Sequence, residues 1–536
     1  MSAKPVKTGA AERRAGGARR ALDSRRAGLW FGALAVLLLA LSAARPLSVP
    51  DEGRYADVSR WMLVSGDWLV PRLNGLPFFH KPPLTHWLQA ASMAVFGVHP
   101  WVGRLPGVLL GLLMVWFGFI VVRQLLGAAV AGRAAFMLGA SGAMLIGAPY
   151  VNHDMGVAAW ISVAIWSFAR AFSFPDRQAP HAGWACMGFL ACALGVLTKG
   201  LIGVALPALV MLAWVSWTRQ WRRVWRLPWA RGLAVFLVVA LPWFVAIGRQ
   251  FPGALAYLFG VQQFSRYLGT GFNNAQPWWF YVAGIALLLA PWSVFAGLEG
   301  LARLRTRRAM AARTANDPWV ALCWIWLAVI LLFFSIPQSK LIGYIFPALP
   351  PLAVLAALGW QRVMDGRRTA QAWLAALALL PVLFSVGLTV AYPHAQRREG
   401  MARDVALELR TRLAPGDVVL VTGDYPFDLP FVARLRSPLV VIQDWPRLRA
   451  KEGDTWRRVL LDAGGFEPAL AAEVLRTPDA LQQEAHAPGR WLLAPNRPGP
   501  RDPPIADAWR PVSRGRAWTL YRSSPLPAFE RPVTTH

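Results

Sequence analysis

Cysteine is nearly missing from this sequence. Three occur in 536 residues (Cys186, Cys192 and Cys323), each within an apolar stretch. That excludes a disulfide framework and leaves no metal-ligand spacing. Charge is scarce too, at 16% of residues, where soluble domains carry about a quarter. Acidic residues are the scarcer sign: 28 Asp and Glu stand against 56 Lys and Arg, for a formal net charge of +28. In a soluble chain that balance would point to nucleic acid. Here the basic residues fall between apolar runs too long for a soluble core, so no nucleic-acid partner is expected. Nucleotide motifs are missing as well. There is no G-x-x-x-x-G-K-[ST], no G-x-G-x-x-G after a strand, no H-E-x-x-H and no D-x-D. Nucleotide hydrolysis is thereby disfavoured, and a donor, if there is one, is not obviously a nucleotide.

What fills the chain is apolar. Hydrophobic residues make up 56%, and Trp, a residue of membrane–water boundaries, occurs 28 times. A helix crosses the hydrocarbon layer with roughly 20 apolar residues. Runs of about that length lie near 28–48, 102–122, 131–150, 155–172, 183–198, 200–217, 232–248, 279–298, 318–335, 343–360 and 371–391. The fifth and sixth adjoin at Lys199-Gly200 and could form one re-entrant unit; residues 84–98 fit an interfacial helix better than a span. The expected fold is a multi-pass α-helical membrane protein of about 11 transmembrane helices, up to 13, with a small C-terminal α/β domain. Three segments follow: a basic, disordered tail at 1–27, a membrane domain at 28–392, and a soluble domain at 395–536. Within the last, a helical pattern at 401–413 precedes β-like runs at 418–421, 439–442, 491–493 and 518–521. Loops 49–101, 249–278 and 335–343 lie on the face opposite the basic loops. The positive-inside bias makes the N-terminus cytoplasmic and places those loops and the C-terminal domain outside.

Only nine acidic residues occur between 28 and 392. Five are external: Asp51, Glu52, Asp57, Asp67 and Asp154. Ionisable groups at a membrane border are costly unless paired or hydrated, which raises the expectation of function. Asp51 and Glu52 follow Pro50 where the first span ends, placed to meet a lipid-borne substrate as a base; an N-cap to the next helix is the alternative. Asp154, in Asn152-His153-Asp154, is either a site residue or a turn residue. Lysine occurs six times, and Lys81, Lys199 and Lys340 all fall at outer span ends. They are snorkelling anchors or a cationic field for a phosphate head group, to which Arg54 and Arg266 would add. The loop at 71–87 (PRLNGLPFFHKPPLTHW) is stiffened by proline and aromatics, fit to roof a cavity at the interface.

The stretch PDEGRYADVSRWMLVSGDWLVPRLNGLPFFHKPPLTHWL resembles the first outer loop of the bacterial 4-amino-4-deoxy-L-arabinose lipid A transferases. These are GT-C glycosyltransferases of the protein O-mannosyltransferase-like superfamily. Asn152-His153-Asp154, LGVLTKGLIGVALP at 194–207, Arg266-Tyr267, Pro277-Trp278-Trp279-Phe280-Tyr281 and SKLIGYIFPALP at 339–350 follow in family order. The resemblance implies inverting sugar transfer at the bacterial inner membrane. The donor would be a polyprenyl (undecaprenyl) phosphate sugar, and the acceptor a lipid such as lipid A, another glycan or a protein. It implies that Asp51 activates the acceptor hydroxyl, aided by Asp154; Glu52 is kept as a catalytic candidate from its place beside Asp51 alone. The family residues that contact the donor phosphate map onto Lys81, Arg266 and Tyr344, with Lys340 a further position; Arg54, from the cationic field, and Tyr55 beside it are the other substrate-binding candidates. His80 stands where the family has an acidic, metal-binding residue, and the family's later-loop histidine has no match here, Gln262 and Gln263 standing instead near Arg266. No cofactor is therefore required, and a divalent metal at His80 is left open. The competing class is a polytopic lipid or glycan transporter without sugar-transfer chemistry. It would show charges at mid-span and repeated broken helices, which the sequence lacks. A non-catalytic assembly subunit is a third reading.

Overall fold

The protein is described from a computed structural model covering residues 27–174, 178–265, 267, 269, 274–306, 317–396, 401–451, 453, 455–499 and 502–523. The basic tail and Arg266 lie outside these residues. The chain is a multi-pass helical membrane protein with a sheet-containing domain at its C-terminal end. Among the described residues seven helices are long and apolar enough to cross a bilayer. Three more apolar helices are shorter: Ala27–Ala43, Ala128–Gly139 and Ile202–Thr218.

Two apolar runs differ from their expected form. The run at 279–298 is a pair of helices, Phe280–Leu288 and Ser293–Arg305, bent by 114°. Pro291 lies in the break, where a missing N–H and a ring clash end the first helix. The run at 131–150 divides into Ala128–Gly139 and Gly142–Gly147, with the Ser141 hydroxyl accepting from the Met144 N–H to cap the second piece. Residues 84–98 form the separate helix Leu84–Phe96.

The first loop is built rather than slack. It opens with the helix Asp51–Ser65, whose first turn holds both carboxylates and so complements the helix dipole. A small hairpin follows, β1 (Arg72–Leu73) with β2 (Leu76–Pro77). Asn74-Gly75 turns it, both with positive φ, as a two-residue hairpin turn requires.

The C-terminal domain carries β3 (Val418–Thr422), β4 (Val440–Ile442), β5 (Leu475–Arg476), β6 (Arg490–Pro495), β7 (Trp509–Arg514) and β8 (Trp518–Ser523). They form one sheet in the order β5-β4-β3-β6-β8-β7. The first four are parallel, and β8 and β7 add an antiparallel edge. This domain grips the first loop. Asn74 exchanges two hydrogen bonds with the backbone of Leu439, at 2.9 and 2.7 Å. Arg72 forms a bidentate pair with Glu467 at 2.8 and 2.9 Å, and Arg60 donates to the Leu435 carbonyl. Val58, Leu73 and Phe78 of the loop are buried in the same apolar cluster as Val419, Val441 and Leu493 of the sheet. The loop is thus clamped between the helical bundle and the domain.

Candidate active site

The first turn of helix Asp51–Ser65 divides its two carboxylates between different environments. Glu52 is fully buried. Arg104 pairs with it through two 2.8 Å bonds, Arg45 at 2.5 Å, and the N–H groups of Ser48 and Val151 donate to it at 2.8 and 2.9 Å. Burial alone would push its pKa up, but the guanidiniums of Arg104 and Arg45 outweigh it and hold the carboxyl far below the usual range. Arg104 also donates to the carbonyls of Ser42, Arg45 and Pro46 at 2.6–2.8 Å. Glu52 is therefore the node that ties the end of the first apolar helix, the loop and the helix Pro100–Leu126 together. Its lone pairs are committed to that node.

Asp51, one residue earlier, keeps 42% of its side chain exposed. Arg54 reaches it at 3.2 Å from the next turn, an i,i+3 pair. Arg54 itself is buried, its guanidinium 4.4 Å from the ring centroid of Tyr55 and 4.3 Å from that of Trp456 in the C-terminal domain. Its Nε has no hydrogen-bond partner.

A second cluster lies beside Tyr55. Asp154 opens the helix Asp154–Phe172, its N–H held by the Asn152 side chain at 3.0 Å. Its carboxylate forms an ion pair with Lys199, the last residue of helix Ala182–Lys199. The Lys199 ammonium lies 4.2 Å from the ring centroid of Tyr344. Gly343 is needed for this approach, because a Cβ there would overlap the Asp154 carboxylate. Burial raises the Tyr55 pKa; among the charges acting on it are Arg54, Asp51, Asp154 and Lys199, so both carboxylate clusters bear on one phenol.

Two histidines, which the sequence reading did not single out, line the base of this region. His153 packs edge-on against Tyr55 at 4.7 Å and against His86 at 5.0 Å. The Ser59 hydroxyl lies 3.0 Å from His86 Nδ1. Burial lowers the His86 pKa to about 3 and that of His153 well below its ordinary value, so both are neutral near pH 7. The signal was present, since both lie in motifs already noted, PPLTHW and Asn152-His153-Asp154.

The remaining expected residues are divided. Lys81 is half-buried, and its charge is among those that lower the His153 pKa, after burial and His86. Lys340 is buried, donating to the carbonyls of Gln276 at 3.0 Å and Pro337 at 2.5 Å, so it braces two loops. His80 stacks on Phe78 and meets the Tyr257 hydroxyl at 3.0 Å, to which Gln262 also donates at 3.0 Å. Gln263 accepts from the Leu201 N–H at 2.8 Å. Among the described residues no three His, Cys, Asp or Glu side chains come together to hold a metal ion. The Tyr257 hydroxyl that meets His80 also donates to the Asp462 carboxylate at 3.2 Å, so one imidazole and one carboxylate bridged by a phenol stand here, short of the roughly three side-chain donors that a protein metal site supplies.

Comparison with known proteins adds to this geometry. A family model described as dolichyl-phosphate-mannose-protein mannosyltransferase matches residues 80–245. A Pseudomonas paraeruginosa protein named undecaprenyl phosphate-alpha-4-amino-4-deoxy-L-arabinose arabinosyl transferase is 32% identical over 364 residues. The match covers 68% of this chain and 64% of the relative, so the chain spans just under two thirds of that protein. The crystal structure of ArnT from Cupriavidus metallidurans bound to undecaprenyl phosphate shares the fold, with a TM-score of 0.77 at 24% identity over 93% of this chain and 99% of that one. The archaeal oligosaccharyltransferase AglB from Archaeoglobus fulgidus aligns at a TM-score of 0.50 and 12% identity, covering 87% of this chain and 69% of that one.

Proposed function

We propose that this chain, which resembles the aminoarabinose transferases in sequence and shares their GT-C fold, is an inverting glycosyltransferase of the bacterial inner membrane. It moves a sugar from a polyprenyl phosphate, undecaprenyl phosphate in bacteria, to a hydroxyl of a cell-envelope acceptor: a lipid such as lipid A, another glycan or a protein. The active face is the periplasmic one, where no nucleotide is supplied and the donor arrives by lipid. The observation that carries this reading is the division of labour between adjacent carboxylates: Glu52 is locked by two arginines, and Asp51 is left half-exposed beside Arg54 and Tyr55.

Asp51 takes the proton of the acceptor hydroxyl as its oxygen bonds to the anomeric carbon. The bond from that carbon to the phosphate oxygen breaks with its electron pair, and the polyprenyl phosphate leaves as the anion. Attack opposite the leaving group inverts the centre. The phosphate needs cations rather than a proton, and Arg54, Lys81 and Lys199 supply them, with Arg266 the fourth. Tyr344 holds its ring against the Lys199 ammonium. Asp154 orients Lys199, and Glu52 is a positioning residue that fixes the turn bearing Asp51. No step passes through a metal.

Asp51→Asn tests the assignment. With membranes, undecaprenyl phosphate-linked aminoarabinose and an envelope-lipid extract, transfer should fall about 100- to 10,000-fold, the usual contribution of a general base. Wild-type-like transfer by the variant would sink the role given to Asp51. Absence of transfer by the wild type, with donor moving between vesicle leaflets instead, would replace the enzyme by a transporter.

A further inference from the structure

The C-terminal domain holds a crevice that the proposed chemistry does not use. Its volume is about 1110 Å³, slightly above the roughly 300–1,000 Å³ usual for small-molecule sites. Its position follows from the strand order. From β3 the chain adds β4 and then β5 on one side, and returns to place β6 on the other. The order therefore reverses between β3 and β6, and in open α/β sheets the crevice outside the carboxyl ends of the strands at such a reversal is where ligands bind. The crevice lies there: Gly423 and Asp424 follow β3, Gln443 and Asp444 follow β4, and Arg497 follows β6.

Its far edge leaves the domain. Val49 and Pro50, the two residues before Asp51, line the same space. So does exposed Trp456, which covers Arg54, the partner of Asp51. The crevice thus opens against the turn that carries the proposed base. Its chemistry is mixed. Asp424 is occupied by Arg457 at 2.5 and 3.1 Å, while Asp444 and Asp502 accept backbone N–H groups at 3.1 and 2.7 Å. Arg447 and Arg497 are exposed and form no ion pair with a described residue. A nucleotide is a poor match. The loop after β3 has no glycine-rich phosphate fingerprint, and the helix that follows it, Leu429–Ala433, has five residues. An indole beside carboxylates, an amide and two open guanidiniums suits a sugar that carries a phosphate.

We infer that this crevice binds the acceptor, as a phosphorylated sugar headgroup, and presents one of its hydroxyls past Pro50 to Asp51. The inference rests on the glycosyltransferase reading for the acceptor role, though not for the binding itself. The sugar lies against Trp456, and the exposed Arg447 and Arg497 of the same crevice take the phosphate. The donor, held at the Lys199 cluster, and the acceptor thus approach Asp51 from the bundle and from the domain respectively.

The test uses the full-length protein in detergent and the double variant Arg447→Gln, Arg497→Gln. Saturation-transfer NMR with N-acetylglucosamine 1-phosphate should show contact with wild type and lose most of it in the double variant, with unphosphorylated N-acetylglucosamine giving much weaker transfer. In the transfer assay the double variant should raise the concentration of envelope-lipid extract giving half-maximal rate at least tenfold, with the maximal rate and the donor KM unchanged. Equal NMR signals for the two proteins overturn the inference, whatever the assay gives. An unchanged acceptor requirement overturns the acceptor role while leaving the glycosyltransferase reading intact, since that reading falls separately with Asp51→Asn.

Discussion

At the scale of single residues, neighbouring carboxylates sit in opposite surroundings, one buried between arginines and one half-exposed. Sequence alone showed that Asp51 and Glu52 are unusual, being two of nine acids in some 365 residues of membrane domain. It could not show which one the arginines take, because Arg104 lies 52 positions away and nothing local announces the pair. Glu52→Gln removes one charge of a buried, arginine-paired network and leaves the guanidiniums of Arg104 and Arg45 uncompensated. That should cost about 3–5 kcal/mol, read as loss of folded protein by size-exclusion chromatography and a lowered unfolding temperature in detergent. Asp51→Asn, at a half-exposed carboxylate, should leave both measurements near wild type, and the contrast separates positioning from chemistry. Gly343→Ala places a methyl against the Asp154 carboxylate. It should reduce transfer at least tenfold with little change in melting, and Asp154→Asn in the same background should not reduce it further in proportion. Lys340 shows the limit of reading lysines by position: its place at a span end was legible, its bonds to loop carbonyls were not.

At the scale of elements, the strands β3, β4, β6 and β8 coincide with apolar runs read from the sequence, as does the helix Arg403–Arg412. β5 escaped notice because it is only two residues long. β7 (WRPVSR) escaped because half of it is polar and it carries a proline, which suits its place at the sheet edge. The hairpin β1–β2 was hidden inside a loop read as merely stiff, although Asn74-Gly75 is a strong short-range turn signal. Its value lies in docking. Asn74→Ala leaves the buried N–H and C=O of Leu439 without their partners. The expected cost is about 2–6 kcal/mol, from roughly 1–3 kcal/mol for each of the two orphaned groups. Limited proteolysis should then cut near the hairpin in the variant and spare it in wild type.

At the scale of the whole molecule, membrane bundle, first loop and sheet domain act as one body around the proposed site. Its stability should depend on pH through the buried histidines. In the unfolded chain His86 titrates near its ordinary ~6.5, whereas burial holds it neutral until about pH 3 in the fold. Below ~6.5 the unfolded state therefore binds a proton that the folded state refuses, so stability is full above that pH and declines as pH falls towards 3. The unfolding temperature in detergent should drop between pH 7 and 5, and His86→Gln should flatten the decline. A slope unchanged in the variant would assign it to other groups. The clamp on the first loop carries a temporal consequence. The turn bearing the proposed base is encoded near residue 51, yet the sheet that seizes the hairpin of the same loop is incomplete until β8, an interior strand encoded at Trp518–Ser523, takes its place beside β6. A ribosome must travel some 470 codons past Asp51 before the sheet that holds this loop can close, so, on the proposed assignment of the site, a chain still being made and already threaded into the bilayer has no assembled site.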